Sequence, residues 1–196
     1  MRSGEIRQQL RRKRQALTSF QQNNSAALIA DLLSHAVLFR DAKNIAAYIA
    51  NDGEIDPSLI LNIAANAGMR CFLPVLDPLT RNSLCFIKYD QNTLLVRNRY
   101  GIPEPIFNRQ MEFDPKRLDL ILMPLVGFDR TGSRIGMGGG YYDRTLAFED
   151  GDQAPQPTLV GLAHSTQEID FVYRETWDIP LNFIVTEKEI ICVKRK

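Results

Sequence analysis

Long apolar runs are missing from this chain. The longest, Leu120 to Phe128, falls far short of the ~20 residues that span a bilayer. No apolar stretch follows Met1, so no signal peptide is expected and the chain reads as cytoplasmic, with no membrane partner. Cysteine is scarce. Cys71, Cys85 and Cys192 are odd in number and far apart, with no C-x-x-C pair. They lie in strand-like runs and are expected to be buried, reduced core residues. Histidine is scarcer, with only His35 and His164. No Ser-His-Asp, Cys-His or metal-His constellation is visible, so nothing suggests a protein nucleophile. An excess of one charge is also lacking. Lys and Arg number 24 against 23 Asp and Glu, which leaves no global field to draw in nucleic acid or a membrane.

The 196 residues, 44% hydrophobic and 24% charged, suit one domain with a real core. Residues 3–17 read as a helix, with Ile6, Leu10 and Leu17 as an apolar stripe and Arg7, Arg11 and Arg14 on another face. Such a basic face is ordinarily solvated. Residues 20–39 read as a second helix, on which His35 is a surface or packing residue. Residues 44–50 read as a strand. Asp56-Pro57 then starts a helix that Gly68 stops. Residues 70–76 form the next strand, so the two strands are expected to be parallel. Residues 84–89 make a further strand. Gly101, Pro103 and Pro105 exclude regular helix between 97 and 107, and Glu104 there gets no role. After residue 141 come a helix to 148, a polar loop, a strand at 158–163, His164 at its end, and closing strands at 183–186 and 190–193. The expected fold is a single Rossmann-like domain over 1–196, of three α/β/α layers on a mostly parallel sheet.

The stretch that carries chemistry runs from Leu120 to Leu146. A buried strand, Leu120 to Phe128, breaks into a polar loop, Asp129 to Gly140, that is dense in glycine. It closes on Tyr141-Tyr142-Asp143-Arg144 at the start of a helix. Strand, glycine loop and helix start bring many backbone N–H groups onto an anion. Gly136, Gly138, Gly139 and Gly140 let the backbone approach a ligand closely. Arg134 and Arg144 add positive charge, and Asp143 adds a carboxylate where a phosphate-borne metal could sit. The loop is no P-loop, since no Lys-Ser or Lys-Thr follows a glycine, and it is no dinucleotide fingerprint, since position 141 is Tyr. On chemistry alone it reads as a phosphate site.

The block from Phe128-Asp129 through Gly132, Arg134-Ile135-Gly136, Gly138 and Gly140 to Tyr141-Tyr142-Asp143-Arg144 resembles the signature of the 5-formyltetrahydrofolate cyclo-ligases. Ile6-Arg7 with Arg14 and Leu17, Asp52-Gly53-Glu54-Ile55, Gly101 to Pro105, and Trp177 to Leu181 agree with that family in order and spacing. The resemblance covers nearly the whole chain. It implies the same α/β class with a mixed sheet. It also implies ATP- and Mg²⁺-dependent cyclisation of 5-formyltetrahydrofolate to 5,10-methenyltetrahydrofolate, with release of ADP and phosphate. In that scheme the formyl oxygen takes the γ-phosphoryl group and N10 attacks the activated carbon, so the enzyme positions its substrates and balances charge.

Carried over residue by residue, the resemblance implies ATP contacts from Arg7 and from Arg134, Ile135, Gly136, Met137, Gly138, Gly139, Gly140, Tyr141 and Tyr142. It implies folate contacts from Ile49, Glu54 and Met137 to Tyr141. Arg134 and Tyr141 are expected to be catalytic. Asp143 and Asp178 are expected to hold Mg²⁺. Two departures stand out. Ser3, with Arg2 beside it, occupies a position where the family usually has Lys, and Met137 and Gly139 stand where many relatives carry a basic residue. The expected partners are the small-molecule substrates alone, on a monomer. The competing classes are an ATP-independent sugar-phosphate isomerase or CoA-transferase-like enzyme, a non-catalytic nucleotide- or folate-binding protein, and an RNA binder acting through the first helix. Nucleotide dependence separates the first, and the salt dependence of RNA affinity the last.

Overall fold

A computed structural model describes residues 3–150 and 156–194. Arg2, the neighbour of Ser3, lies outside them. The helices are α1 (Ser3–Gln15), α2 (Ser19–His35), α3 (Val37–Arg40), α4 (Ser58–Asn66) and α5 (Tyr141–Thr145). The strands are β1 (Asn44–Ala46), β2 (Arg70–Leu76), β3 (Leu84–Tyr89), β4 (Leu95–Arg97), β5 (Pro103–Pro105), β6 (Glu112–Phe113), β7 (Leu120–Pro124), β8 (Gly127–Phe128), β9 (Arg134–Ile135), β10 (Thr158–Leu162), β11 (Phe183–Val185) and β12 (Ile190–Cys192).

Local chemistry sets several boundaries. Thr18 caps α2, accepting from the Gln21 N–H while the Gln21 side chain accepts from the Thr18 N–H, a reciprocal capping box. Asp56 accepts from the Ser58 N–H at the start of α4. That helix ends as expected at Gly68 (φ +80°), with the Gly68 N–H on the Ala65 carbonyl and the Met69 N–H on the Ala64 carbonyl, a Schellman stop.

Eight strands form one sheet in the order β12-β11-β10-β7-β1-β2-β3-β6. The five in the middle, β11 to β2, are mutually parallel. At the edges the pairing is antiparallel: β12 on β11 at one, and β3 on β2 followed by β6 on β3 at the other. The α/β class and the mixed, mostly parallel sheet are therefore as expected. Alternation along the strands divides the core between two faces. Leu120 and Leu122 join Ile29 and Leu33 of α2 and Ile60 and Ala64 of α4. Ile121 and Met123 join Leu146, Ile179 and Leu181 on the other face. That second face is covered by short elements and loops rather than by long helices. No helix among the described residues is long and apolar enough to cross a membrane.

Five expectations need correction. The strand expected over 44–50 covers only Asn44–Ala46, and 47–50 continue from it without strand geometry. The run Leu120 to Phe128 is not one strand. It breaks after Pro124 because the Leu125 carbonyl accepts from Arg14 and Gln167 and the Val126 carbonyl accepts from Gln167, which takes these groups out of the ladder. The second helix leaves helical geometry at Ala36 (ψ 140°) and resumes as α3. The helix after the glycine loop ends at Thr145 and continues as a 3₁₀ turn, Ala147–Asp150. Cys192 is exposed, because Ile191 takes the inward face of edge strand β12. Cys71 and Cys85 are buried as expected. The segment 97–107 forms a separate hairpin of β4 and β5, where Pro103 and Pro105 are tolerated as edge-strand residues.

Candidate active site

From β1 the chain runs to β2 on one side, while β7 and β10 lie on the other. The β1/β7 junction is thus a topological switch point, where open α/β sheets bind ligands beyond the carboxyl ends of their strands. The segment after β1 carries Ile49 and Glu54. The segment after β7 carries the glycine loop. Both face one cleft of about 1520 Å³, above the usual size for a single small ligand.

The turn after β1 is conformationally costly. Asp52 has φ 56° and Gly53 φ 75°, and a non-glycine residue in the left-handed region is disfavoured by roughly 1–2 kcal/mol. α1 supplies what holds it. Arg11 Nε donates to Asp52 Oδ2 at 2.8 Å, Arg14 Nη2 to the same oxygen at 2.7 Å, and Gln15 to Oδ1. Hydrogen bonding from Arg11 is the largest cause holding the Asp52 carboxyl down to about 2. Arg14 is fully buried and also donates from Nε to the Asp52 carbonyl and from Nη1 to the Leu125 carbonyl. Glu54 accepts from the Asn51 N–H at 3.0 Å and sits 3.7 Å from Arg14. Burial outweighs that cation and pushes its carboxyl up to about 7. His164, buried at the end of β10, has Nε2 3.3 Å from the Gly53 carbonyl. Burial lowers its pKa, so it acts as a local hydrogen-bonding brace.

The β8–β9 hairpin leads into the glycine loop. Its turn is tied by Asp129, which accepts from the Thr131 N–H and, across to another loop, from the Val172 N–H. Beyond Ile135, Arg7 Nε donates to the Gly136 carbonyl at 2.8 Å and Arg144 Nη1 to the Gly139 carbonyl at 2.7 Å. Gly138 has φ +93° and Gly140 φ +67°, values that admit glycine readily. No hydrogen bond among the described residues uses the backbone N–H groups of Met137 to Gly140, so these donors are free for a ligand. α5 has only five residues. The loop amides and the nearby arginines, rather than a long helix dipole, supply the positive field.

Arg134 is tied down in this structure. Its Nη1 donates to the Ile179 carbonyl and its Nη2 to Asp143 Oδ1 at 2.5 Å. Asp143 Oδ1 also accepts from the Ile179 N–H. Asp178 accepts from the Glu175 N–H through Oδ2, a local turn bond. Each carboxylate keeps one oxygen without a hydrogen bond among the described residues. No group of three or more His, Cys, Asp or Glu side chains there could hold a metal by itself. That arrangement fits Mg²⁺, which is commonly bound by one or two carboxylates together with phosphate oxygens.

All the residues singled out as ATP, folate or metal contacts line the cleft: Arg7, Ile49, Glu54, Arg134 to Asp143, and Asp178. Sequence reasoning missed others. Arg14 shares its sequence spacing with a basic face of the kind that is ordinarily solvated, yet it is the buried centre of the Asp52 turn. Arg99 donates to the Tyr141 hydroxyl, and the Tyr100 hydroxyl lies 2.7 Å from it, so the β4–β5 hairpin docks on the glycine loop. Glu104 accepts from the Leu76 N–H and from Asn98, which fixes that hairpin to β2. Exposed Phe171, Tyr173 and Trp177 stand at the cleft rim; their clustering is visible only in the fold.

Fold and site define an α/β enzyme with a large cleft at its switch point, lined by glycine-loop amides and arginines. Residues 2–187 match the model of the 5-formyltetrahydrofolate cyclo-ligase family, and the chain belongs to that family; it is a ligase. It is 37% identical over 178 residues to the Haemophilus influenzae 5-formyltetrahydrofolate cyclo-ligase, covering 90% of this chain and 93% of that protein. It is 36% identical over 181 residues to the Escherichia coli K12 enzyme of the same name, covering 92% and 98%. Among solved structures it resembles the Aquifex aeolicus 5,10-methenyltetrahydrofolate synthetase, with TM-score 0.83, 27% identity, and coverage of 100% of this chain and 95% of that one. The Mycoplasma pneumoniae 5,10-methenyltetrahydrofolate synthetase aligns with TM-score 0.73 at 26% identity, covering 95% and 99%. The resemblance carried by the glycine–tyrosine block is thereby borne out.

Proposed function

We propose that this chain uses ATP to close 5-formyltetrahydrofolate into 5,10-methenyltetrahydrofolate, releasing ADP and phosphate. One observation carries the reading: a single cleft holds a glycine loop with free amides on one wall and a largely buried carboxylate, Glu54, on another. The loop suits a triphosphate. Glu54 suits the ring N–H and amino donors of a pterin. The cleft volume accommodates both ligands together.

The chemistry needs placement more than side-chain nucleophiles. The formyl oxygen attacks the γ-phosphorus, and the bond to the ADP oxygen breaks. The N10 lone pair then attacks the activated formyl carbon, N10 loses its proton, and the carbon–oxygen bond breaks as phosphate departs. Met137 to Tyr141 lie where phosphoryl donor and formyl oxygen would meet. The loop amides, Arg7 and Arg134 bind and orient the phosphates through charge-assisted hydrogen bonds. Tyr141, held by Arg99 and Tyr100, borders the reacting groups. Asp143 and Asp178 would hold Mg²⁺, which supplies charge neutralisation on the phosphates when bound.

The test is to incubate the purified chain with 5-formyltetrahydrofolate, Mg²⁺ and ATP and to follow the methenyl chromophore. Product is expected with ATP and none without it. Product formed without nucleotide would favour an ATP-independent enzyme. Binding of both ligands without product would favour a non-catalytic role.

A further inference from the structure

We infer that α1 couples the two ends of the cleft: Arg7 responds to occupancy of the glycine loop, and Arg14 acts as the positioning residue that sets Glu54. The inference rests on the proposed two-ligand reading of the cleft.

Arg7 and Arg14 are seven residues apart. They therefore share a helix face about 10 Å apart along the axis. At one end, Arg7 Nε is on the Gly136 carbonyl, and its guanidinium lies 3.6 Å from where a Cβ at Gly138 would stand. A phosphate on the loop amides would compete for that guanidinium. At the other end, Arg14 has no exposed surface and spends its fork on Asp52 and the Leu125 carbonyl, with Glu54 at 3.7 Å. Between them, buried Leu10 meets Gly127 so closely that a Cβ there would lie 2.4 Å from Leu10 Cδ1. The helix is thus seated by backbone-level packing midway between its two polar ends.

The turn bearing Glu54 is closed by the Glu54 N–H on the Asn51 carbonyl and the Asn51 N–H on Glu54 Oε2, but its attachment to the rest of the fold comes largely from α1. Its left-handed Asp52 is bonded through its side chain to Arg11, Arg14 and Gln15, all on α1. A shift of α1 is therefore a shift of Glu54. A salt bridge with a purely structural role would alter stability and leave the two ligand affinities independent.

Isothermal titration calorimetry on the full chain tests this with 5-formyltetrahydrofolate, titrated with and without a non-hydrolysable ATP analogue and Mg²⁺. In the wild type the nucleotide is expected to tighten folate binding about fivefold or more, with the same factor in the reverse titration. Arg14→Lys keeps the cation but loses the fork. Each ligand is expected to bind it alone, with the coupling factor falling to about one. Should Arg14→Lys fail to melt cooperatively, Arg7→Gln, at a partly exposed position, is read instead, and its coupling must fall likewise. Full coupling in either folded variant overturns the inference, as does a wild type that binds both ligands independently. A wild type that binds neither ligand overturns the underlying reading as well.

Discussion

Arg134 and Asp143 are paired at 2.5 Å, and both are also bonded to the backbone of Ile179. The cation proposed for the phosphates and the carboxylate proposed for the metal thus neutralise each other in the free cleft. Ligand binding would exchange these partners without leaving either charge bare. Arg134→Ala is expected to lower kcat by about a hundredfold or more, with the circular dichroism spectrum retained. Wild-type turnover in that variant would remove this loop from the mechanism.

The same pair makes a separate prediction about the metal. Asp143→Asn is expected to raise the Mg²⁺ concentration for half-maximal rate by about tenfold. A Mg²⁺ titration of initial rates reads it, and an unchanged requirement would mean that Asp143 is not a metal ligand.

Glu54 holds its proton to about 7 against an ordinary 4.5. Between those values the folded chain binds more protons than the unfolded one. The contribution of Glu54 to stability is therefore full below about 4.5 and is lost as the pH rises through 7. Around it, Asp52 is held at about 2 and the Tyr48 and Tyr142 phenols are pushed up by burial, outside that window, while His164 at the Gly53 carbonyl is lowered by burial and gives a slope of the opposite sign. Comparing Glu54→Gln with wild type cancels the His164 contribution. Glu54→Gln is expected to be more stable than wild type in denaturant unfolding at pH 8, by roughly 1–3 kcal/mol, and to match it near pH 4. In the wild type, KM for the formylfolate is expected to fall as the pH rises through 7. In Glu54→Gln it is expected to be higher and flat.

Gly132 has φ +85°, and a Cβ there would lie 2.8 Å from the Leu181 carbonyl oxygen and 2.9 Å from Val193 Cγ1. Its own carbonyl accepts from the Leu181 N–H. Gly132→Ala combines backbone strain with a collision that a side-chain rotamer change cannot relieve. A loss of about 2 kcal/mol or more is expected in denaturant unfolding.

The thiols differ in the same checkable way. Burial raises Cys71 and, most strongly, Cys85, whose thiol is pushed up to about 12. Cys192 is exposed. A chromogenic disulfide reagent is expected to react with one thiol per native chain and with all three after unfolding.

What could be read in the sequence was what is local. The Gly68 stop, the β2 and β3 limits and the cleft-lining glycine loop all depend on neighbours in the chain. Arg14 could not be read, because its partners Asp52 and Leu125 lie 38 and 111 residues away. On α1 alone it looks like Arg11, which is partly exposed. The unbroken run from Leu120 to Phe128 misled for the same reason: Arg14 and the distant Gln167 capture the carbonyls that would have continued the strand. The β4–β5 hairpin escaped notice because two prolines suggest a loop, and its attachment through Glu104 and Tyr141 is tertiary.

The contacts of α1 also order events during folding. Its seats are at Asp52, Leu125, Gly127 and Gly136, all far along the chain from it. A chain cut short before Leu125 leaves the fork of Arg14 and the side chain of Leu10 without their full complement of partners. α1 is thus among the last elements to settle, since its seat is completed by a residue 129 positions further along the chain.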